Sequence, residues 1–217
     1  FFVWFFLVVD MLTVSIKQEG FLCPLILHKV KPDSIHAAFA GESQARNRYT
    51  FAAGLARRKN LYVLESVFTF TADQERAHAK VFYNLLEQVS GQNLQVDGTY
   101  PVELFPDILD HLRSAQHNEY QEWDHDYAGF PRPPRRRVPG DCPHFSMIAG
   151  IEKTHGDRFG KFAELLEQDK LFVSDVQVKW MCLNCGQIIR RTMAPAVCPV
   201  CKHPQGYFIR WEMAPFE

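Results

Sequence analysis

Two segments of this chain, Glu75-Arg76-Ala77-His78 and Glu152-Lys153-Thr154-His155, each set a carboxylate and an imidazole three residues apart on an apolar ladder. The first ladder is Leu64, Phe68, Thr71, Glu75, His78, Phe82, Leu85, Val89; the second is Phe145, Ile148, Glu152, His155, Phe159, Phe162, Leu166. Alternating steps of three and four mark the inward stripe of a packed helix. Each helix therefore points one oxygen and one nitrogen ligand into the core. A single Glu-x-x-His occurs by chance in many helices, but here each copy follows a second core-facing glutamate at the same interval. Glu42 stands 33 residues before Glu75, and Glu119 stands 33 residues before Glu152. A Glu helix followed by a Glu-x-x-His helix, used twice, is the ligand arrangement of di-iron and di-manganese carboxylate bundles. Glu122, three residues after Glu119, adds a fifth carboxylate to the same face. So many buried charges repel and desolvate at great cost unless cations neutralise them.

The 217 residues suffice for one good core and a small appended module. The formal net charge of −1 argues against a general affinity for nucleic acid or anionic membrane. Four of the six cysteines, Cys182, Cys185, Cys198 and Cys201, form two Cys-x-x-Cys pairs, while Cys23 and Cys142 lie alone. Paired thiolates at metal spacing without a disulfide framework point to a reducing, cytoplasmic compartment.

Along the chain, residues 1–32 begin with the apolar run FFVWFFLVV and read as an extension with no catalytic role, either translated upstream sequence or a peripheral anchor. The run is shorter than the roughly 20 residues a membrane span needs. It also lacks the basic leader of a signal peptide. Residues 33–169 read as a four-helix bundle. Asp33 or Ser34 is the expected N-cap of the first helix, which runs to Arg57-Arg58-Lys59 and closes at Asn60. The second runs from about Leu61 to Ser90 and stops at Gly91. Residues 91–105 are long enough for a crossover, and the third helix opens near Pro106-Asp107, carrying Ile108, Leu112, Ala115, Glu119 and Glu122 inward. Residues 131–143, PRPPRRRVPGDCP, then break the pattern with five prolines, and an interior proline costs a helix about 3 kcal/mol or more. The arginines there read as a solvated loop rather than a phosphate or nucleic-acid patch, since no aromatic residues are interleaved. The fourth helix resumes near His144 and continues to about Asp169, and residues 170–179 form an extended linker.

In residues 180–217, twelve residues separate Cys182-Leu-Asn-Cys185 from Cys198-Pro-Val-Cys201. Two such knuckles make a tetrahedral sulfur site, and spacing alone leaves iron and zinc both open. Trp180, Tyr207, Phe208 and Trp211 supply the small core that holds the module together.

With both sites in view, the chain resembles a rubrerythrin over roughly residues 33–211, broken only by the proline-rich run. The resemblance rests on Ala38-Phe-Ala-Gly-Glu-Ser-Gln-Ala-Arg-Asn-Arg-Tyr49, Asp73-Gln-Glu-Arg-Ala-His78, Glu119-Tyr-Gln-Glu122-Trp123, Met147-Ile-Ala-Gly-Ile-Glu-Lys-Thr-His155 and the four-cysteine module. It implies an all-α, ferritin-like four-helix bundle followed by a small rubredoxin-like β/loop domain. The implied activity is a peroxidase serving oxidative stress defence: a di-iron site, oxo-bridged when oxidised, reduces hydrogen peroxide to water, and one iron in the four-cysteine site returns the electrons. By residue, Glu42, Glu75, Glu119, Glu122, Glu152 and His155 would be iron ligands, with His78 and Glu122 exchanging as the oxidation state changes. Tyr49 and Tyr127 match tyrosines that hydrogen-bond ligand carboxylates in the family. The implied partners are a reduced donor, such as a rubredoxin or an NAD(P)H-linked reductase, and a second copy of the chain arranged head to tail. The proline and arginine run departs from the family; out-of-frame translation with a return to frame accounts for it and for Cys142. It would shorten helices three and four at their facing ends.

Three other readings stand beside this one. A ferroxidase or iron-storage bundle would use the same ligands, but storage needs no electron donor. A binding protein with a zinc ribbon would carry zinc in the cysteine site and show no visible colour. The atypical N-terminus and the proline run could also leave an inactive product.

Overall fold

The computed structural model describes residues 32–126 and 143–215. Four helices form the body: α1 (Pro32–Arg58), α2 (Tyr62–Leu85), α3 (Ile108–Gln121) and α4 (Pro143–Glu167). A three-stranded antiparallel sheet follows, made of β1 (Val173–Cys182), β2 (Ile188–Met193) and β3 (Phe208–Arg210), in the order β2-β1-β3. No described helix is long and apolar enough to cross a membrane. The apolar extension, the proline and arginine run, Cys23, Cys142 and Tyr127 all lie outside the described residues.

The helix bounds follow the apolar ladders, with local corrections. Asp33 and Ser34 lie inside α1 and do not cap it, because the helix already includes Pro32. At the other end Asn60 adopts φ +59°, the left-handed conformation that closes a helix, and its short turn makes α1 and α2 antiparallel neighbours. The α-helical part of α2 stops at Leu85, earlier than Ser90, and one 3-10 turn over Glu87–Val89 carries the chain to Gly91 at φ +82°. Only a residue without a Cβ takes that angle freely. The segment 91–107 then crosses the bundle without regular structure. One buried carboxylate anchors it. Glu103 accepts hydrogen bonds from Arg48 at 2.7 Å, Ser114 at 2.6 Å and Asn118 at 2.6 Å, tying the crossover to α1 and α3.

The bundle interior is layered. Leu64, Phe68, Tyr49, Leu112, Phe159 and Phe162 fill one apolar cluster. Ile35, Phe82, Leu86, Phe145 and Ile148 fill a second. Each fully buried large side chain contributes about 1.5–3 kcal/mol, so the clusters clamp the polar layer between them. The segment read as an extended linker is most of β1, which begins at Val173 and runs through residue 180 into the first cysteine knuckle. Its Trp180, with Cys182, Cys198 and Phe208, forms the module's own buried cluster. That module rests on the turn between α1 and α2: Tyr62 and Tyr207 stack at 4.1 Å between ring centroids. A Cβ at Gly206 would come within 1.9 Å of the Asn60 carbonyl oxygen, so only glycine permits this approach.

Candidate metal centres

Glu42 comes from α1, Glu75 and His78 from α2, Glu119 from α3, and Glu152 and His155 from α4, and all six are buried. Their donor atoms fall into two groups of four, each within 4.8 Å of one another: Glu42, Glu75, His78, Glu152 and Glu75, Glu119, Glu152, His155. Glu75 and Glu152 belong to both. In the first group, His78 Nδ1 lies 3.0 Å from Glu152 Oε1, 3.3 Å from Glu75 Oε2 and 3.6 Å from Glu42 Oε2. In the second, His155 Nδ1 lies 2.8 Å from Glu75 Oε1, 2.9 Å from Glu152 Oε2 and 3.4 Å from Glu119 Oε2. Glu75 and Glu152 thus turn one oxygen toward each imidazole, which is the geometry of a carboxylate bridging two cations.

These atoms fit metal better than they fit one another. Both oxygens of Glu75 and of Glu152, Glu119 Oε2 and both Nδ1 atoms are buried without a hydrogen bond of acceptable geometry. Unsatisfied buried polar atoms are rare in folded proteins and signal an absent partner. Without cations, burial pushes the Glu42 and Glu119 carboxyls well above their ordinary range, with neighbouring carboxylates adding to the rise. Burial also opposes charging of His155, but Glu119, Glu152 and Glu75 overcome it and hold the imidazole up to about 11. His78 is raised in the same way, against burial, by Glu152, Glu42 and Glu75. Burial works against an ionised Glu75 too, yet the two imidazoles hold its carboxyl down to about 2. Cations in place of those protons remove the conflict.

Glu122 joins neither group. The α-helix ends at Gln121, and residues Glu122–Asp126 form a π turn. Glu122 instead lines a cavity of about 500 Å³, together with Gly41, Gln44, Arg48, Tyr100 and Asn118. Burial raises its carboxyl well above the ordinary range, and the Glu42 and Glu119 charges add to this. Tyr49 is buried and donates its hydroxyl hydrogen bond to Glu119 Oε1. Its ring packs on Phe159 at 5.0 Å, which fixes the angle of approach.

The sulfur site is formed by two similar turns. Gly186 N–H donates to the Cys182 carbonyl at 2.8 Å and Lys202 N–H to the Cys198 carbonyl at 3.0 Å, with Gly186 at φ +75° and Lys202 at φ +62°. All four cysteines are free thiols. Their sulfurs pair at 3.7 Å, Cys182 with Cys201 and Cys185 with Cys198. Metal–sulfur bonds of about 2.3 Å in a tetrahedron give edges of about 3.8 Å, so the sulfurs already stand at ligand separation. Burial pushes the Cys182 thiol up to about 12, whereas the backbone N–H of His203 holds Cys201 down to about 6.

Two groups escaped the sequence reading. Glu103 sits in an irregular segment where no periodicity marks it. Arg158 lies one turn beyond His155 on α4, and its polar identity reads as solvent-facing. It instead donates to Thr71 Oγ1 at 2.9 Å and Gln74 Oε1 at 2.8 Å on α2.

A helical bundle that gathers four carboxylates and two imidazoles around two positions, followed by a tetrahedral sulfur module, defines a di-iron carboxylate protein with an appended rubredoxin-like domain. Comparison with known proteins narrows this. The family model described as Rubrerythrin matches residues 33–166, and the model for the rubrerythrin rubredoxin-like domain matches residues 180–209. A rubrerythrin of Clostridium perfringens is 38% identical over 178 residues, covering 81% of this chain and 91% of that protein. A rubrerythrin of Porphyromonas gingivalis is 36% identical over 196 residues, covering 90% of this chain and 96% of its own. The structure of nigerythrin in a partially reduced state shares the fold, with a TM-score of 0.52 at 23% identity over 83% of this chain and 86% of that one. The chain belongs to the rubrerythrin family. It carries that family's di-iron Glu/His site in the bundle and its four-cysteine rubredoxin-like site in the terminal domain.

Proposed function

We propose that this protein is a peroxidase that reduces hydrogen peroxide to water at the bundle site and is recharged through the sulfur site. The observation that carries this reading is the pair of four-donor groups sharing Glu75 and Glu152 on the same chain as a four-cysteine module. Two ferrous ions, when bound, supply the two electrons that O–O cleavage requires. The chain's residues do the rest. Glu75 and Glu152 hold the two positions at one separation, Glu42 with His78 and Glu119 with His155 complete each side, and Tyr49 keeps Glu119 from rotating. In this arrangement His78 stands among the donors and Glu122 belongs to neither group, which suits the ferrous pair, since imidazole favours the softer, lower-charged ion. The cavity that Glu122 lines gives a small peroxide room to approach. The sulfur module favours this reading over iron storage, because storage has no use for an electron donor.

The place of that module bears on the partner. It docks at Asn60–Tyr62, and Glu75 stands thirteen positions after Tyr62 on one helix. At 1.5 Å per residue this is about 20 Å along the axis. A second copy arranged head to tail would bring a sulfur site closer to each metal pair than its own chain does. We assign the cytoplasm as the compartment on the strength of the free thiols.

The deciding experiment adds peroxide without oxygen to the fully reduced protein. One peroxide consumed per two electrons withdrawn, with the visible colour of the sulfur site returning, supports the peroxidase. Iron uptake that depends on dioxygen, with negligible peroxide turnover, would establish the ferroxidase instead. Zinc in the cysteine site of protein made in iron-replete cells would favour the binding protein.

A further inference from the structure

Arg158 is the group near the metal pair that the peroxidase reading does not use. It lies three residues after His155 on α4, half-buried, with its guanidinium directed toward α2. Its hydrogen bonds there go to two neutral groups, the Thr71 hydroxyl and the Gln74 amide oxygen, and it also covers the ring of Phe70 at 5.0 Å. Thr71 is fully buried, and its own hydroxyl donates to the Val67 carbonyl, so its orientation is fixed before the arginine arrives. Arginines removed from water are usually matched to a carboxylate, because a guanidinium fork fits one and an unmatched buried charge is costly. The carboxylates that feel this cation are Glu119, Glu75 and Glu152, three of the metal-binding glutamates.

Charge counting shows why a cation belongs there. The bundle site holds the carboxylates Glu42, Glu75, Glu119 and Glu152, with Glu122 alongside. Two divalent ions balance four of these and, once bound, favour ionisation of the neighbouring Glu122 as well, so one negative charge is left over. Among the described groups in electrostatic contact with that cluster, Arg158 can supply the matching positive charge without occupying a ligand position. It also joins the two Glu-x-x-His helices, since Thr71 and Gln74 flank Glu75 while Arg158 follows His155.

We propose that Arg158 is a positioning and charge-balancing residue of the metal pair, and that its fixed cation raises the pair's reduction potential. A nearby positive charge disfavours the more highly charged oxidised ions, so removing it lowers the potential. This inference rests on the metal pair alone and is independent of whether peroxide is the substrate.

The test is potentiometric titration of the iron-loaded protein, following both centres in one sample. Arg158→Met removes the charge, Arg158→Lys keeps it, and Thr71→Val removes the hydrogen bond while leaving the arginine. The expected result is a lower midpoint potential for the iron pair in Arg158→Met than in Arg158→Lys or Thr71→Val, with the sulfur site's potential unmoved in all three. An unchanged pair potential in Arg158→Met, or equal shifts in the Met and Lys variants, would overturn the proposal. If Arg158→Met folds but loads no iron, loading by Arg158→Lys supports the role of the charge. Failure of both to load would reduce Arg158 to a packing residue. A peroxidase assay on the same samples reports on the functional reading separately.

Discussion

Glu75 and Glu152 differ from Glu42 and Glu119 in where their oxygens go. Each offers one oxygen to either side, so neutralising either should weaken both metal positions at once. Metal analysis of Glu75→Gln is expected to show near-complete loss of both irons from the bundle. Glu42→Gln should lose chiefly the ion beside His78, and equal losses in the two variants would contradict the bridge. Protons compete for the same atoms. With His155 held up to about 11 in the metal-free fold, its imidazole is charged at neutral pH and must release a proton before it can bind. Apparent affinity for a divalent probe such as Co²⁺ should therefore rise from pH 6 to pH 8, as titration at the two values would show. The Glu-x-x-His pairs were legible because a helix converts a spacing of three into one direction, whatever surrounds it. The π turn that starts at Glu122 was not legible, since nothing in the apolar ladder marks it.

At the scale of elements, the crossover and the docking turn carry the testable energetics. Arg48 and Glu103 are 10% and 5% exposed, so losing one leaves the other charge buried and unmatched. Glu103→Ala is expected to cost about 3 kcal/mol in thermal or denaturant unfolding, and Glu103→Gln less. Equal melting curves for wild type and Glu103→Ala would remove the crossover anchor from the account. Gly206→Ala would drive a methyl group into the Asn60 carbonyl. It should loosen the sulfur module from the bundle, read as faster proteolysis between them, at a cost of about 1–3 kcal/mol. Neither contact could be read in advance. The helices announce themselves by period, as Leu64 and Phe68 do, but Glu103 and Gly206 depend on which segments meet, and that is a tertiary fact. The strand β1 lies between these cases: Val173, Val176 and Val178 marked an extended chain, yet its pairing with β2 and β3 was invisible.

For the whole molecule, the proposed head-to-tail pairing would make assembly part of the proposed reaction. A chain lacking Cys182 and a chain lacking Glu75 should each be inactive alone. Mixing them under conditions that exchange subunits should restore activity in the hybrid, whereas no recovery despite proven hybrids would favour transfer within one chain. The layered interior has a related meaning for stability. The polar layer lies between two apolar clusters, so the bundle must accommodate it whether or not metal is present.

The double use of Glu75 and Glu152 has a last consequence, for how the bundle fills. The first ion to arrive orients two side chains that the second also needs, and it leaves net negative charge to attract that second ion. Occupancy at one position is then expected to raise affinity at the other, reciprocally, and a titration with Co²⁺ that is sigmoidal would show it, whereas two independent sites would contradict it. Under that expectation, scarce iron would leave empty chains and doubly filled ones, lowering the number of working molecules before the quality of each.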